Sequence, residues 1–175
     1  MIDTATNTVA ATVPVGNSPR GVGIVPPPPG VPFLAFSAQL QIDIDRNPNH
    51  DAFALESSFA LSSTASKGIH PAIEPVTLQS CTFSVTLPLG SFRKHGDEHE
   101  HEDGFFTFRG VIDGARLEAL IKRTGTLRYA FFAKAHGTDL TGTKNPVQVT
   151  LTIGGDTGTT SINAAHLEEL AGALR

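Results

Sequence analysis

The stretch Phe105–Ala135, FFTFRGVIDGARLEALIKRTGTLRYAFFAKA, decides the fold. It reads as three consecutive antiparallel strands joined by two tight turns. In the first strand Phe106, Phe108 and Gly110 alternate with Phe105, Thr107, Arg109 and Val111. Asp113-Gly114 then supplies the residue pair that a type I′ turn favours, because both central positions need positive φ. On the return strand Leu117, Ala119 and Ile121 face one way, and Arg116, Glu118 and Lys122 face the other. Thr124-Gly125 is expected to turn the chain again, into Leu127, Tyr129, Phe131, Ala133 and Ala135, with Arg128 and Lys134 on the opposite face. Alternation with period 2 over three linked segments predicts an antiparallel sheet with one buried face.

The same alternation extends outward on both sides. Upstream, Leu34, Phe36, Ala38, Leu40, Ile42 and Ile44 form one face of a strand, and Asn47-Pro48-Asn49 supplies turn chemistry after it. A second strand runs through Phe53, Leu55, Ser57, Phe59 and Leu61, and Ser62–Pro75 reads as a polar loop. Val76–Leu87 reads as one strand whose phase slips between Leu78 and Cys81, which predicts a β-bulge near Gln79–Ser80. Downstream, Val147, Val149, Leu151 and Ile153 form another strand. Gly154-Gly155-Asp156-Thr157-Gly158 turns it into a last one through Thr160, Ile162 and Ala164. The tail HLEELAGALR spaces Leu167, Leu170, Ala171 and Leu174 for a short amphipathic C-terminal helix. About eight strands with regular turns predict an all-β protein, an antiparallel β-sandwich.

The bulk composition agrees with that class. The chain has 175 residues, 39% hydrophobic and 17% charged, with 17 Gly and 12 Pro spaced as turn punctuation. That length suffices for one domain with a sizeable core. No apolar run reaches the roughly 18 residues of a membrane span, so none is expected. The opening MIDTATNTVA has neither a basic n-region nor an apolar h-region, so no signal peptide is expected there. Cys81 is the single cysteine, which excludes an internal disulfide and a Cys-based zinc site. The net charge of −4 is concentrated, since Asp97, Glu98, Glu100, Glu102 and Asp103 fall in one seven-residue turn. The remainder is close to neutral and shows no basic stripe, so no nucleic-acid partner is expected.

Residues 1–25 carry Ile2-Asp3-Thr4-Ala5-Thr6-Asn7, then Thr8-Val9-Ala10-Ala11-Thr12-Val13-Pro14-Val15-Gly16, then Ser18-Pro19-Arg20-Gly21-Val22. This segment resembles about one unit of the YVTN-type β-propeller repeats of bacterial and archaeal surface proteins. The resemblance implies that Thr-Ala-Thr-Asn turns between two strands. A propeller ring needs several blades, so the segment is either the end of a longer propeller or an arm with another role. Pro26–Gly30 follows as a stiff polyproline linker, leaving residues 31–175 as the body. The body carries Pro48-Asn49-His50-Asp51-Ala52-Phe53, Phe108-Arg109-Gly110-Val111-Ile112-Asp113-Gly114 and Leu140-Thr141-Gly142-Thr143-x-Asn145-Pro146-Val147. In these it is similar to a C-terminal β-sandwich domain of uncharacterised bacterial surface or secreted proteins. That similarity implies an extracellular or cell-surface setting and no known activity.

Two segments could hold a metal. If His95–Gly104 stays extended, His95, Asp97, His99, His101 and Asp103 share one face and Glu98, Glu100 and Glu102 the other. Imidazoles two apart with carboxylates between them can converge on a divalent transition metal; the competing reading is an acidic, solvated hairpin tip. Asp45, Asn47, Asn49, Asp51 and Glu56 stand at positions 1, 3, 5, 7 and 12 of a calcium loop. Position 6 is His50 where such a loop needs glycine, and the flanks are strands, so an Asn-capped β-turn is the alternative.

Catalytic patterns are missing. There is no G-x-S-x-G motif, Cys81 lies on a strand, and His70 and His136 have no evident partner. No opposed carboxylate pair for glycoside hydrolysis stands out, and Gly154–Gly158 opens a strand rather than a phosphate-binding helix. Tyr129 is the only tyrosine and there is no tryptophan, which leaves Phe33, Phe105 and Phe132 as the candidate exposed aromatics. The expectation is a non-enzymatic structural or adhesive module without a cofactor. Its strand-like arm could fold back on its own body, or pair with the edge of another copy to give an oligomer or filament. The alternative is a metal- or ligand-binding module that uses turn 93–104.

Overall fold

Asp113 and Gly114 both take positive φ, 50° and 84°, which is the backbone a two-residue hairpin requires. Ile112 pairs with Ala115 directly across them, and the ladder continues to Phe105 opposite Lys122. In a computed structural model of the chain, this hairpin lies within the larger of two main sheets. The structure describes residues 2–3, 8–9, 30–47, 49–96 and 104–166.

In chain order the strands are β1 (Ile2–Asp3), β2 (Thr8–Val9), β3 (Val31–Pro32), β4 (Ala35–Asp43), β5 (Asp51–Ala60), β6 (Val76–Ser80) and β7 (Phe83–Leu87). They continue as β8 (Arg93–His95), β9 (Phe105–Ile112), β10 (Ala115–Gly125), β11 (Arg128–Thr138), β12 (Val147–Ile153), β13 (Asp156–Ile162) and β14 (Ala165–His166). One sheet has the order β14-β4-β5-β11-β10-β9-β8 and the other β3-β13-β12-β6-β7. Pairing is antiparallel except at two short margins, β3 on β13 and β14 on β4. β1 and β2 pair with each other, Ile2 opposite Val9 and Asp3 opposite Thr8.

The chain is therefore all-β. Inward residues of both sheets, among them Ile42, Leu55, Leu117 and Phe131 from one and Val76, Val149 and Leu151 from the other, form a single buried cluster. Burying each such side chain contributes about 1.5–3 kcal/mol, so this shared core dominates stability. None of the described residues is helical, and none forms a helix able to cross a membrane. Of the tail expected to be helical, HLEELAGALR, the first residue, His166, belongs to strand β14 instead, and residues 167–175 lie outside the described residues.

Four expectations need correction. The phase slip near Gln79–Ser80 is a hairpin rather than a bulge: Ser80 pairs with Phe83, and Cys81-Thr82 forms the turn with Cys81 at φ 57°. One predicted strand is thereby two, which together with the short margins raises the count above eight. The turn after β10 is Thr126-Leu127, not Thr124-Gly125, since Gly125 still pairs with Arg128. A register shift between Arg123 and Gly125 carries the ladder past the expected turn, and Leu127 then packs on the core while its carbonyl accepts from Leu61 N (2.9 Å).

The remaining two corrections concern the ends of β4. Leu34 is 76% exposed although alternation placed it inward, and Ile44 is exposed as well. The ladder spans only Ala35–Asp43, so the phase lapses at both ends. Phe33 turns inward in place of Leu34. Its ring stacks on Phe59 at 4.5 Å, and Phe59 stacks in turn on Tyr129 at 5.3 Å.

The outer face of the smaller sheet is a hydroxyl ladder. Register aligns Thr86, Thr77, Thr152 and Thr157 across four strands. Thr77 bonds Thr86 (2.9 Å), Thr152 bonds Thr157 (2.8 Å), and Thr150 bonds Thr159 in the next row (2.9 Å). Cross-strand pairs of this kind contribute roughly 0.2–1 kcal/mol each.

Candidate ligand-binding face

The outer face of the larger sheet departs from the polar surface expected on the solvated side of an antiparallel sheet. Phe132 points outward from the middle of β11, in the centre of the sheet, and is 40% exposed. Register sets it between Leu120 on β10 and Glu56 on β5, with Thr107 beyond Leu120 and Gln39 beyond Glu56. The flanking rows are small or charged. Ala130 and Ser58 lie on one side, Lys134 and Ala54 on the other.

There is space on both sides of the ring. A depression of about 400 Å³ is lined by Thr107, Arg109, Glu118, Leu120, Phe132 and Lys134. A second, of about 300 Å³, is lined by Ser37, Gln39, Glu56, Ser58, Ala130 and Phe132. Phe132 is thus a ridge between two shallow grooves. Polar groups along them are held in place: Arg109 Nε donates to Glu118 Oε1 (2.7 Å), and Ser37 and Ser58 share a hydroxyl bond (2.8 Å). The Arg109 hydrogen bond, more than its charge, draws the Glu118 carboxyl below the usual range. At the β8 margin the His95 ring stacks on Phe105 at 5.0 Å, and His95 Nε2 bonds Thr107 Oγ1 (2.7 Å). Stacking rings, a carboxylate, amides and hydroxyls along a groove can hold a polar chain with apolar faces.

Phe105 and Phe132 are exposed as the sequence suggested, whereas Phe33 is partly buried against the core. Leu120 was missed, although strict alternation from Leu117, Ala119 and Ile121 places it outward.

The two metal segments fare differently. Of His95, Asp97, His99, His101 and Asp103, only His95 is described, and residues 97–103 lie outside the described residues. Gly96 and Gly104 face each other across the mouth of that turn, closely enough that a Cβ on Gly96 would lie 3.2 Å from Gly104 Cα. The calcium-type set is not gathered on one point. Asp45 Oδ1 accepts from the backbone N (2.7 Å) and side-chain Nδ2 (3.0 Å) of Asn47, closing a turn; the backbone bond is the main cause holding its carboxyl below the usual range. Asp51 is buried and its carboxylate is engaged elsewhere, accepting from Asp45 N (2.8 Å) and Leu140 N (2.6 Å). Asn49 is exposed at φ 62°, and Glu56 stands beside Phe132 on the outer face. Among the described residues no group of three or more His, Cys, Asp or Glu gathers in a metal-binding arrangement.

Cys81 lies in its hairpin turn with Sγ 3.8 Å from Ser80 Oγ, a hydroxyl that supplies no general base. Comparison with family models, with characterised proteins and with solved structures gives no significant match to this chain.

Proposed function

We propose that this chain is a non-enzymatic β-sandwich adhesion module of a surface or secreted protein, and that it holds a neutral polysaccharide across the outer face of its larger sheet. One observation carries the reading: Phe132 stands exposed at the centre of the face, beside a half-buried Leu120, with polar and small side chains in the rows around it. The C–H face of a sugar ring packs on such an aromatic side chain, while hydroxyls meet Gln39, Glu56, Ser58 and Lys134 in the flanking grooves. The mixed charges of the face argue against a polyanion, which would require a one-signed basic surface.

Affinity electrophoresis in gels containing neutral polysaccharides tests this. The folded chain is expected to be retarded by at least one of them. Phe132→Ala, an exposed change with little effect on folding, is expected to weaken retention roughly tenfold, corresponding to about 1.4 kcal/mol. A full panel without retardation, or a Phe132→Ala protein retained like the parent, would end the proposal.

A second reading, self-assembly through strand pairing, is favoured by the margins of the sheets. β8 is short and basic, β3 is short with a proline, and β14 caps β4. These are the devices that protect sheet edges. β7, sequence FSVTL, has none of them: five uncharged residues paired among the described strands with β6 alone. A strand from a second copy's residues 1–25 would add there by augmentation. In light scattering the full chain is then expected to grow in mass with concentration, and a chain lacking residues 1–25 to stay monomeric. Equal masses for the two would exclude arm-dependent assembly.

A further inference from the structure

The hairpin that joins β12 to β13 turns on Gly154-Gly155, with Ile153 opposite Asp156. The loop from Ser62 to Pro75 folds over that turn, and Gly154 N donates to Pro75 O (2.9 Å). Three oxygen-bearing side chains meet there. Asp156 is only 5% exposed, and its Oδ1 is buried with no hydrogen-bond partner. The Ser66 hydroxyl, which accepts from Gly68 N (3.0 Å), lies near enough to the Asp156 carboxyl to favour its charged form, and Asp156 senses the negative charge of Glu74. The Glu74 carboxylate lies directly over Gly154: a Cβ there would come within 2.6 Å of its carboxyl carbon and 2.7 Å of Oε1. Glu74 is fixed in that position by His70 N, which donates to Oε2 (2.7 Å).

A buried carboxylate with an orphaned oxygen, beside a second carboxylate, is costly unless something positive joins them. Among the described residues no lysine or arginine contributes to the setting of Asp156. Burial pushes its carboxyl above the usual range; the nearby Ser66 hydroxyl offsets part of this, and the negative charge of Glu74 adds to it. Glycine at 154 admits the Glu74 carboxylate where any side chain would exclude it.

We propose that Asp156, Glu74 and Ser66 form a binding site for a divalent, oxygen-preferring cation, calcium in the first instance. All three donors are oxygens, which suits a hard cation rather than zinc or copper. Asp156 supplies the buried ligand and Glu74 the half-exposed one that meets solvent, and water completes the coordination. Two charged ligands give weak affinity, in the range of about 10⁻⁴–10⁻³ M found for extracellular calcium modules. The site is separate from turn 93–104 and from the calcium-type set at Asp45–Glu56, and it does not depend on what the Phe132 face binds.

The test uses the full chain stripped with a chelator, calcium chloride as the probe, and calorimetry together with thermal melting at neutral pH. Saturable binding at one equivalent and a melting temperature that rises with calcium are expected, because a ligand that binds only the folded state stabilises it by mass action. Glu74→Gln and Asp156→Asn are each expected to weaken binding tenfold or more. Asp156→Asn is further expected to melt above the parent without calcium, having lost a buried charge, yet to gain nothing from calcium. Absence of saturable binding by the parent up to roughly ten times the upper affinity limit overturns the proposal. So does parental affinity in Glu74→Gln, which stays decisive if Asp156→Asn fails to fold. A parent whose stability instead falls as pH rises through the acidic range, with no response to calcium, would show the two carboxyls sharing a proton, and that result also overturns it.

Discussion

Asp51→Ala is expected to lower the unfolding free energy by about 3 kcal/mol, because it orphans two N–H donors that each cost roughly 1–3 kcal/mol when left unsatisfied. Asp51 is 2% exposed at the start of β5. Its Oδ2 accepts from Leu140 N (2.6 Å) and its Oδ1 from Asp45 N (2.8 Å), while its carbonyl accepts from Thr138 Oγ1 (2.9 Å). One residue thus ties together the end of β11, the loop that follows it and the turn before β5. Asp51→Asn is expected to cost less, about 1–2 kcal/mol, since one acceptor survives while an NH₂ group faces a donor. Urea unfolding followed by circular dichroism measures both. A loss below 1 kcal/mol for Asp51→Ala would show that this junction does not hold the fold together.

Gly158→Ala is expected to cost about 2–3 kcal/mol by overpacking. A Cβ at that position would lie 2.3 Å from Phe33 Cδ2 and 3.0 Å from Cγ. The ring has nowhere to go, since it stacks on Phe59 at 4.5 Å and meets Phe36 edge-on at 5.8 Å. Truncating the ring should remove the conflict. In a Phe33→Ala background, adding Gly158→Ala is therefore expected to cost less than about 0.5 kcal/mol, and the difference is the coupling that a double-mutant cycle reads. Equal costs in the two backgrounds would mean that Gly158 is needed for its backbone and not for the space it leaves.

These two sites show where reading the sequence works and where it stops. Alternation identified the inward face of the long central strands, because each of their residues sits in a continuous ladder that fixes its side. Asp113-Gly114 was legible for the same local reason. Phe33 and Leu34 were not, because no ladder spans them and the phase is set by the slot over Gly158, a contact 125 residues away in the chain. Asp51 stood out only as a spaced oxygen ligand. Asp45 is a local partner, but the other two, Leu140 and Thr138, are nearly ninety residues distant, and no local pattern signals them. The Cys81-Thr82 hairpin was hidden because neither residue favours positive φ, so a phase slip was the only trace it left.

The candidate face was half legible. Exposed phenylalanines could be proposed from alternation, but the grooves beside Phe132 are lined from neighbouring strands, Ala130 and Ser58 on one side and Thr107 and Glu118 on the other, and their adjacency is a matter of register. Glu74 and Asp156 come from segments with no shared motif. Their meeting depends on the long loop after β5 folding over a glycine turn.

The threonine rows on the smaller sheet have a bearing on the environment in which the molecule can work. Thr77, Thr86, Thr150, Thr152, Thr157 and Thr159, with Gln79, Ser84, Gln148 and Ser161 among them, carry no ionisable group. Acid and alkali therefore leave the charge of these positions unchanged and salt has no charge there to screen, while the opposite side, with Arg109, Glu118, Lys134 and Glu56, responds to all three. Each copy has one flank whose charge follows its surroundings and one whose charge does not.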